Sequence, residues 1–189
     1  DGQYLYDLYK GASLPWEWHK PIYDLAKEEG LVCFSSPFDK TAVDFLEDLN
    51  TPIYKVASFE ITDIPLISYI ASKQKPIIIS TGIAALEDIE LAIKTCELAG
   101  NNDITILKCT SAYPASPEDA DLLTIPDIEK RFNVKAGLSD HTMGIESPMI
   151  AVALGAKVIE KHFILDKKIG GADAHFSLDE TEFKQMVDA

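Results

Sequence analysis

Ala136-Gly-Leu-Ser-Asp-His-Thr142 is a short apolar run that closes on Ser139, Asp140 and His141, and Val158-Ile-Glu-Lys-His-Phe163 repeats the arrangement with Glu160, Lys161 and His162. Strand-like runs that close on small or polar residues also occur at Leu31–Ser36, Ile53–Ser58, Pro76–Thr81 and Ile104–Thr110. Their centres, Phe34, Val56, Ile79, Leu107, Leu138 and Ile159, recur every 21 to 31 residues, the length of one strand and one crossover helix. Between them, Lys40–Leu49, Leu66–Lys73, Leu86–Ala99 and Ser147–Leu154 carry apolar residues at helical spacing, as in Ile89, Ile93 and Cys96, which covers one face of a sheet. Unbroken β-branched runs such as Ile77-Ile78-Ile79 suit parallel strands buried on both faces.

Six alternating units predict an α/β fold, either a doubly wound sheet or a (β/α)8 TIM barrel. No G-x-G-x-x-G turn follows any of the runs, which argues against the doubly wound nucleotide fold. Functional residue types at the C-terminal end of each strand are how barrel active sites are assembled, so the barrel is preferred. Six strands are two short of closure. The expectation is a single partial barrel over residues 1–189 that lacks its first two strand units.

The formal net charge of -14 argues against nucleic acid as a partner, because phosphate backbones attract an excess of Lys and Arg. No apolar run approaches the roughly 18 residues of a membrane span, and no signal peptide is visible. Cys33, Cys96 and Cys109 are odd in number and lack metal spacing, which reads as free thiols in a reducing, cytoplasmic setting.

His141 and His162 at adjacent strand ends are the natural candidates for a shared divalent metal, with open positions left for substrate. Asp173, in the glycine-flanked loop Gly170-Gly-Ala-Asp-Ala174, is placed to swing over the same site, although such a residue is ordinarily a turn aspartate. Lys55 lies inside an apolar run, where an ammonium is costly unless an anion partners it; a phosphate or carboxylate ligand would serve. Ser36, Ser58, Ser80, Thr81, Thr110, Ser111 and Ser139 offer hydroxyls around the same opening. Each alone reads as a turn or cap residue, and their recurrence at five strand ends is what points to a site. Ser80-Thr81-Gly82 reads as a turn that lets amides approach an oxyanion. Glu60 is a candidate for binding sugar hydroxyls or for proton transfer, against the plain alternative of an exposed loop carboxylate.

Taken together, Phe34-Ser-Ser-Pro-Phe38, Tyr54-Lys-Val-Ala-Ser58, Pro76-Ile-Ile-Ile-Ser-Thr-Gly82, Lys108-Cys-Thr-Ser-Ala-Tyr-Pro114, Gly137-Leu-Ser-Asp-His-Thr142 and Glu160-Lys-His-Phe163 resemble the sialic acid synthases. These enzymes condense the pyruvate unit of phosphoenolpyruvate with an N-acetylated amino sugar. The resemblance implies that Lys55, Ser58, Ser80, Ser111, Tyr113 and Ser139 bind phosphoenolpyruvate, with Ser36 where the family places Thr or Ser. It implies that His141 and His162 ligate a divalent metal, usually manganese, with magnesium or cobalt as alternatives. Glu60 and Asp173 match residues that engage the amino sugar. The family's Gly-Pro-Asp loop reads Gly171-Ala172-Asp173 here, which keeps the carboxylate and changes its support.

The resemblance also implies a homodimeric full-length protein, a catalytic glutamate and a second phosphate-binding lysine in the first two strand units, and a C-terminal antifreeze-like domain that this segment does not include. Leu5-Tyr-Asp-Leu-Tyr9, Pro15-Trp-Glu-Trp-His19, Cys33-Phe-Ser-Ser-Pro-Phe38, Ala57-Ser-Phe-Glu60 and Leu107-Lys-Cys-Thr-Ser111 favour a branch other than the N-acetylneuraminate synthases. Those tend to carry Gly-Glu or Gly-Asp in place of Phe59-Glu60 and His-Cys-Thr in place of Lys108-Cys-Thr110. Two other readings are a barrel aldolase with Lys55 or Lys161 as a Schiff-base amine, and a non-catalytic interaction module.

Overall fold

The computed structural model describes Tyr4 and residues 13–189, so the Leu5–Tyr9 stretch lies outside the described residues. Five strands, β1 (Tyr54–Val56), β2 (Ile77–Ser80), β3 (Ile104–Cys109), β4 (Lys135–Asp140) and β5 (Ile159–Lys161), form one sheet in sequence order, every neighbouring pair parallel. Helices alternate with them: α1 (Trp16–Glu28), α2 (Lys40–Asp48), α3 (Ile64–Ala71), α4 (Leu86–Leu98), α5 (Thr124–Phe132), α6 (Glu146–Ala153) and α7 (Glu180–Asp188). Adding each strand beside the last while returning through a helix curls the sheet into a half-barrel. The helix runs read from the sequence agree to within two residues, and α1, α5 and α7 come in addition. No helix among the described residues is long and apolar enough to cross a membrane.

Local chemistry sets the helix ends. The Asp39 carboxylate accepts from Ala42 N at 2.9 Å to start α2, and Asp63 accepts from Leu66 N at 3.0 Å to start α3, with Pro65 in its first turn. Such caps satisfy amide donors that have no partner inside the helix. Asn133 ends α5 in the left-handed conformation (φ 53°), a position that Asn tolerates better than most residues.

Alternation along the strands separates two surfaces. Tyr54, Val56, Ile77, Ile79, Ile104, Ile106, Ala136 and Leu138 point outward and join Val43, Ile67, Ile70, Ala92, Ile93 and Ile125 of the surrounding helices in one core. Burying an isoleucine side chain in such a core is worth about 1.5–3 kcal/mol. The residues between them, Lys55, Ile78, Ser80, Leu107, Cys109, Gly137 and Ser139, stand outside that core and form the inner wall. Gly137 is required there for close approach, since a Cβ would meet Val158 O at 2.3 Å.

One expected strand is corrected. Leu31–Ser36 is not a strand; its trace is a single parallel bridge from Ser35 to Tyr54. It lies at the edge of the sheet beyond β1, with Leu31 and Val32 68% and 64% exposed, so among the described residues neither a second partner nor an apolar layer fixes its backbone.

Candidate active site

Lys55, at the centre of β1, is 6% exposed. Its Nζ donates to Ser80 Oγ at 2.7 Å and to Val56 O at 3.1 Å, and lies 3.6 Å from Glu160 Oε2. Burial holds its pKa below the ordinary lysine value, against the opposing pull of Glu160, Cys109 and Glu60. The cation is thus desolvated and only loosely paired, which suits it to an anionic ligand. Glu160 reaches back to Ser139, whose Oγ donates to Glu160 Oε1 at 2.6 Å. A cavity of about 410 Å³ opens at this point, lined by Phe34, Ser35, Ser36, Phe38, Lys55 and Glu160. A larger one of about 520 Å³ lies beside Tyr23, Cys33 and Asp48, away from this cluster, and chemistry favours the smaller.

Beside Lys55, the β2–α4 turn brings the Gly82 amide to Ser58 Oγ at 3.1 Å. A Cβ on Gly82 would lie 2.1 Å from Ser111 Oγ, 2.9 Å from Ser58 Oγ and 3.0 Å from Cys109 Sγ; the residue is glycine because three side chains converge on it. Ser111 Oγ and Glu60 Oε2 are buried without a hydrogen-bond partner among the described residues. Buried polar atoms are rarely left so, and a bound ligand is one way to satisfy them. Burial raises the Glu60 pKa, with the Lys55 charge pulling the other way.

The two histidines meet on the same wall, their ring centroids 5.2 Å apart. His141 Nδ1 lies 2.8 Å from Thr110 O; a carbonyl only accepts, so Nδ1 carries a proton, and in the neutral ring Nε2 is the nitrogen with the lone pair. Burial pushes the His141 pKa down, but bonds to Cys109 and the Thr110 carbonyl outweigh it and the net direction is up. Burial and then the neighbouring His141 push His162 down. His162 Nδ1 stands 3.5 Å from Asp173 Oδ2, so the glycine-flanked loop does deliver its carboxylate here. The Tyr113 ring lies tilted against His141, centroids 4.3 Å apart, and Phe176 lies 4.9 Å from His162, giving the imidazoles an aromatic surround. Among the described residues, no group of three or more His, Cys, Asp or Glu side chains is arranged to hold a metal unaided.

Lys55, Ser58, Ser80, Ser111, Ser139, Glu60, His141 and His162 are therefore brought to one inner wall, with Ser36 on its cavity, Tyr113 against His141 and Asp173 at the rim. Two of the expected rim hydroxyls are engaged by backbone carbonyls: Thr81 Oγ1 donates to Leu107 O at 3.0 Å and Thr110 Oγ1 to Asp119 O at 3.0 Å. Lys161 faces the other side of the sheet, paired with Asp140 and almost wholly buried, which removes it as a Schiff-base candidate at the mouth. Glu160 and Cys109 are the inner-wall residues to which the sequence reading assigned no role. The signal was their i, i+2 spacing from His162 and Ser111.

Fold and site together define an α/β half-barrel whose mouth, at the C-terminal ends of its parallel strands, carries a buried lysine and two imidazoles. The chain belongs to the NeuB family, whose model matches residues 1–189, as the sialic acid synthase resemblance implied. It is 51% identical over 189 residues to the pseudaminic acid synthase of Helicobacter pylori, covering 100% of this chain and 56% of that protein. It is 50% identical over 192 residues to the pseudaminic acid synthase of Campylobacter jejuni strain 81-176, covering 100% and 55%. Among solved structures, the Bacillus subtilis spore coat polysaccharide biosynthesis protein SpsE superposes with a TM-score of 0.91 at 38% identity, covering 100% of this chain and 53% of that one. The chain thus spans about half the length of the curated relatives it matches.

Proposed function

We propose that the protein condenses phosphoenolpyruvate with 2,4-diacetamido-2,4,6-trideoxy-altropyranose to give pseudaminic acid and phosphate. The observation that carries the reaction class is the buried Lys55 ammonium, bonded to a hydroxyl and a carbonyl and only loosely paired with Glu160 at 3.6 Å, on the same wall as two imidazoles and two buried oxygens without a partner among the described residues. The choice of sugar is supported by the identity to the Helicobacter and Campylobacter synthases.

In this reading Lys55, Ser58, Ser80, Ser111 and Ser139 hold the phosphate and carboxylate of phosphoenolpyruvate, with the Gly82 amide close by and with Ser36 and Tyr113 bordering them. Holding the enol in one orientation aims its C3 at the open-chain aldehyde of the sugar. His141 and His162 suit a divalent ion, since the His141 Nδ1 proton is engaged by the Thr110 carbonyl and Nε2 is the nitrogen left to ligate; manganese is the inferred metal. When bound, such an ion polarises a carbonyl as a Lewis acid. As C3 bonds to the aldehyde carbon, positive charge develops at C2, and the Glu160 and Glu60 carboxylates offset it. Water adds at C2, the C–O bond to phosphate breaks, and Lys55 retains the departing anion. Asp173, at the rim, engages the sugar. On the family resemblance we further infer a homodimeric, cytoplasmic full-length protein with a C-terminal antifreeze-like domain.

The test is phosphate release by the full chain with phosphoenolpyruvate and manganese, comparing the altro sugar with N-acetylmannosamine. Release with the altro sugar alone is expected. Release only with N-acetylmannosamine would keep the reaction class and overturn the sugar.

A further inference from the structure

Asp140 and Lys161 are partners on the last rung of the β4–β5 ladder. They point away from the mouth, and their side chains are 2% and 1% exposed. Lys161 Nζ bonds both the Asp140 carboxylate and the Thr142 carbonyl. Asp140 also accepts from Thr142 N at 3.0 Å and from Thr142 Oγ1 at 2.9 Å, and that hydroxyl is 3.1 Å from Ser147 Oγ on α6. Every charged atom of this cluster is satisfied, yet a buried ion pair is a poor route to stability, since well-packed apolar residues usually do as well or better.

Its location suggests what it does instead. The residue after Asp140 is His141 and the residue after Lys161 is His162, and alternation turns those two rings to the opposite, inner side. The clasp therefore ties the two strands together at the rung before the imidazoles diverge, and through Thr142 it bonds the backbone on the far side of His141. The inner side is held as well, by His141 Nδ1 on Thr110 O at 2.8 Å and by Ala115 N on His141 O at 2.9 Å. His141 is thus fixed from both faces of the sheet, and His162 from the outer one.

We propose that Asp140 and Lys161 are positioning residues that set the separation and direction of His141 and His162, and so the affinity of that pair for a divalent ion. The inference rests on the metal reading above. Neither side chain touches substrate; they act through the strand ends. Groups of this kind, one layer behind the ligands, typically change metal affinity about 10- to 100-fold when removed.

The experiment is a manganese titration of the full chain, with thermal unfolding and phosphoenolpyruvate affinity measured in parallel. Lys161→Met leaves a buried carboxylate unpaired and is expected to lower the melting temperature. Asp140→Asn combined with Lys161→Met removes both charges while keeping an acceptor for Thr142, and is expected to regain most of that stability. If the clasp positions the histidines, the double variant still binds manganese about 10-fold or more weakly, while phosphoenolpyruvate affinity stays within about twofold because its ligands lie mainly on β1–β3. Thr142→Val, a milder loss from the same network, should weaken manganese in the same direction and serves if the other variants fail to fold. Manganese affinity equal to that of the unmodified chain in the double variant, or in Thr142→Val alone should only it fold, would overturn the proposal. An unmodified chain that takes no manganese would instead overturn the metal reading, and this inference with it.

Discussion

The inner and outer faces of one five-stranded sheet are made from alternate residues of the same strands, and they have opposite characters. Outward residues such as Ile77, Ile79, Ile104 and Ile106 lie in the apolar core, while Lys55, Ser80, Cys109, Ser139 and Glu160 crowd the inner wall with polar groups. The outer face gains free energy from burial; the inner face spends some of it on a desolvated cation and on oxygens without partners. The comparison teaches that in this fold a polar residue is interpretable only once its face is known. Asp140 and Lys161 are as polar as their neighbours, but on the outer face they brace strands.

The largest effect expected from breaking this division is on the outer face. Ile106→Ala, at a fully buried position of β3, should cost about 2–5 kcal/mol of stability by denaturant unfolding, with ligand affinity retained wherever the chain remains folded. On the inner face the expected pattern reverses. Lys55→Met should weaken phosphoenolpyruvate binding by about 2–4 kcal/mol in a calorimetric titration, while stability changes by less than about 1 kcal/mol or improves, because a desolvated charge has been removed. An inner-face variant that lowers stability by several kcal/mol, on the order of a core truncation, yet binds phosphoenolpyruvate unchanged while folded would break the comparison.

Smaller changes sharpen it. Gly82→Ala forces Ser111 and Ser58 to move from a Cβ that would stand 2.1 Å and 2.9 Å away; a loss of about 1–2 kcal/mol in phosphoenolpyruvate binding is expected, checked by the same titration. Least in size is a pH effect at Glu60. Its folded-state pKa is raised by burial from 4.5, so the native state binds the proton more tightly than the unfolded state. Stability from this group is therefore fully present below pH 4.5 and is lost as pH rises through the higher folded value. Glu60→Gln should flatten that part of the stability–pH curve, and an unchanged slope would show that the carboxyl is not desolvated.

The alternation of runs and helices was legible in the sequence because parallel strands covered on both faces are long in β-branched residues, as Ile77-Ile78-Ile79 shows. Leu31–Ser36 is likewise apolar over its first four residues, yet at the sheet edge it bridges, among the described residues, only to Tyr54, and composition does not report position in a sheet. The histidines, Lys55 and the serines were legible because strand ends converge at the barrel mouth. Glu160 and the Asp140–Lys161 clasp were harder. Each stands beside a residue singled out for chemistry, and only pairing register separates Glu160, on the wall with Ser139, from Lys161, one residue on and facing the helices. The committed hydroxyls of Thr81 and Thr110 show the same limit, since a side chain's nearest acceptor is set by the tertiary turn.

The most direct test of the account is turnover by the full chain of phosphoenolpyruvate labelled with 18O at the oxygen bridging C2 and phosphorus, with manganese and the altro sugar. The account predicts sugar-dependent release of phosphate that carries the label, because the C–O bond breaks while Lys55 and its serines hold the phosphate. No sugar-dependent release, or label retained in the carbon product, would contradict it.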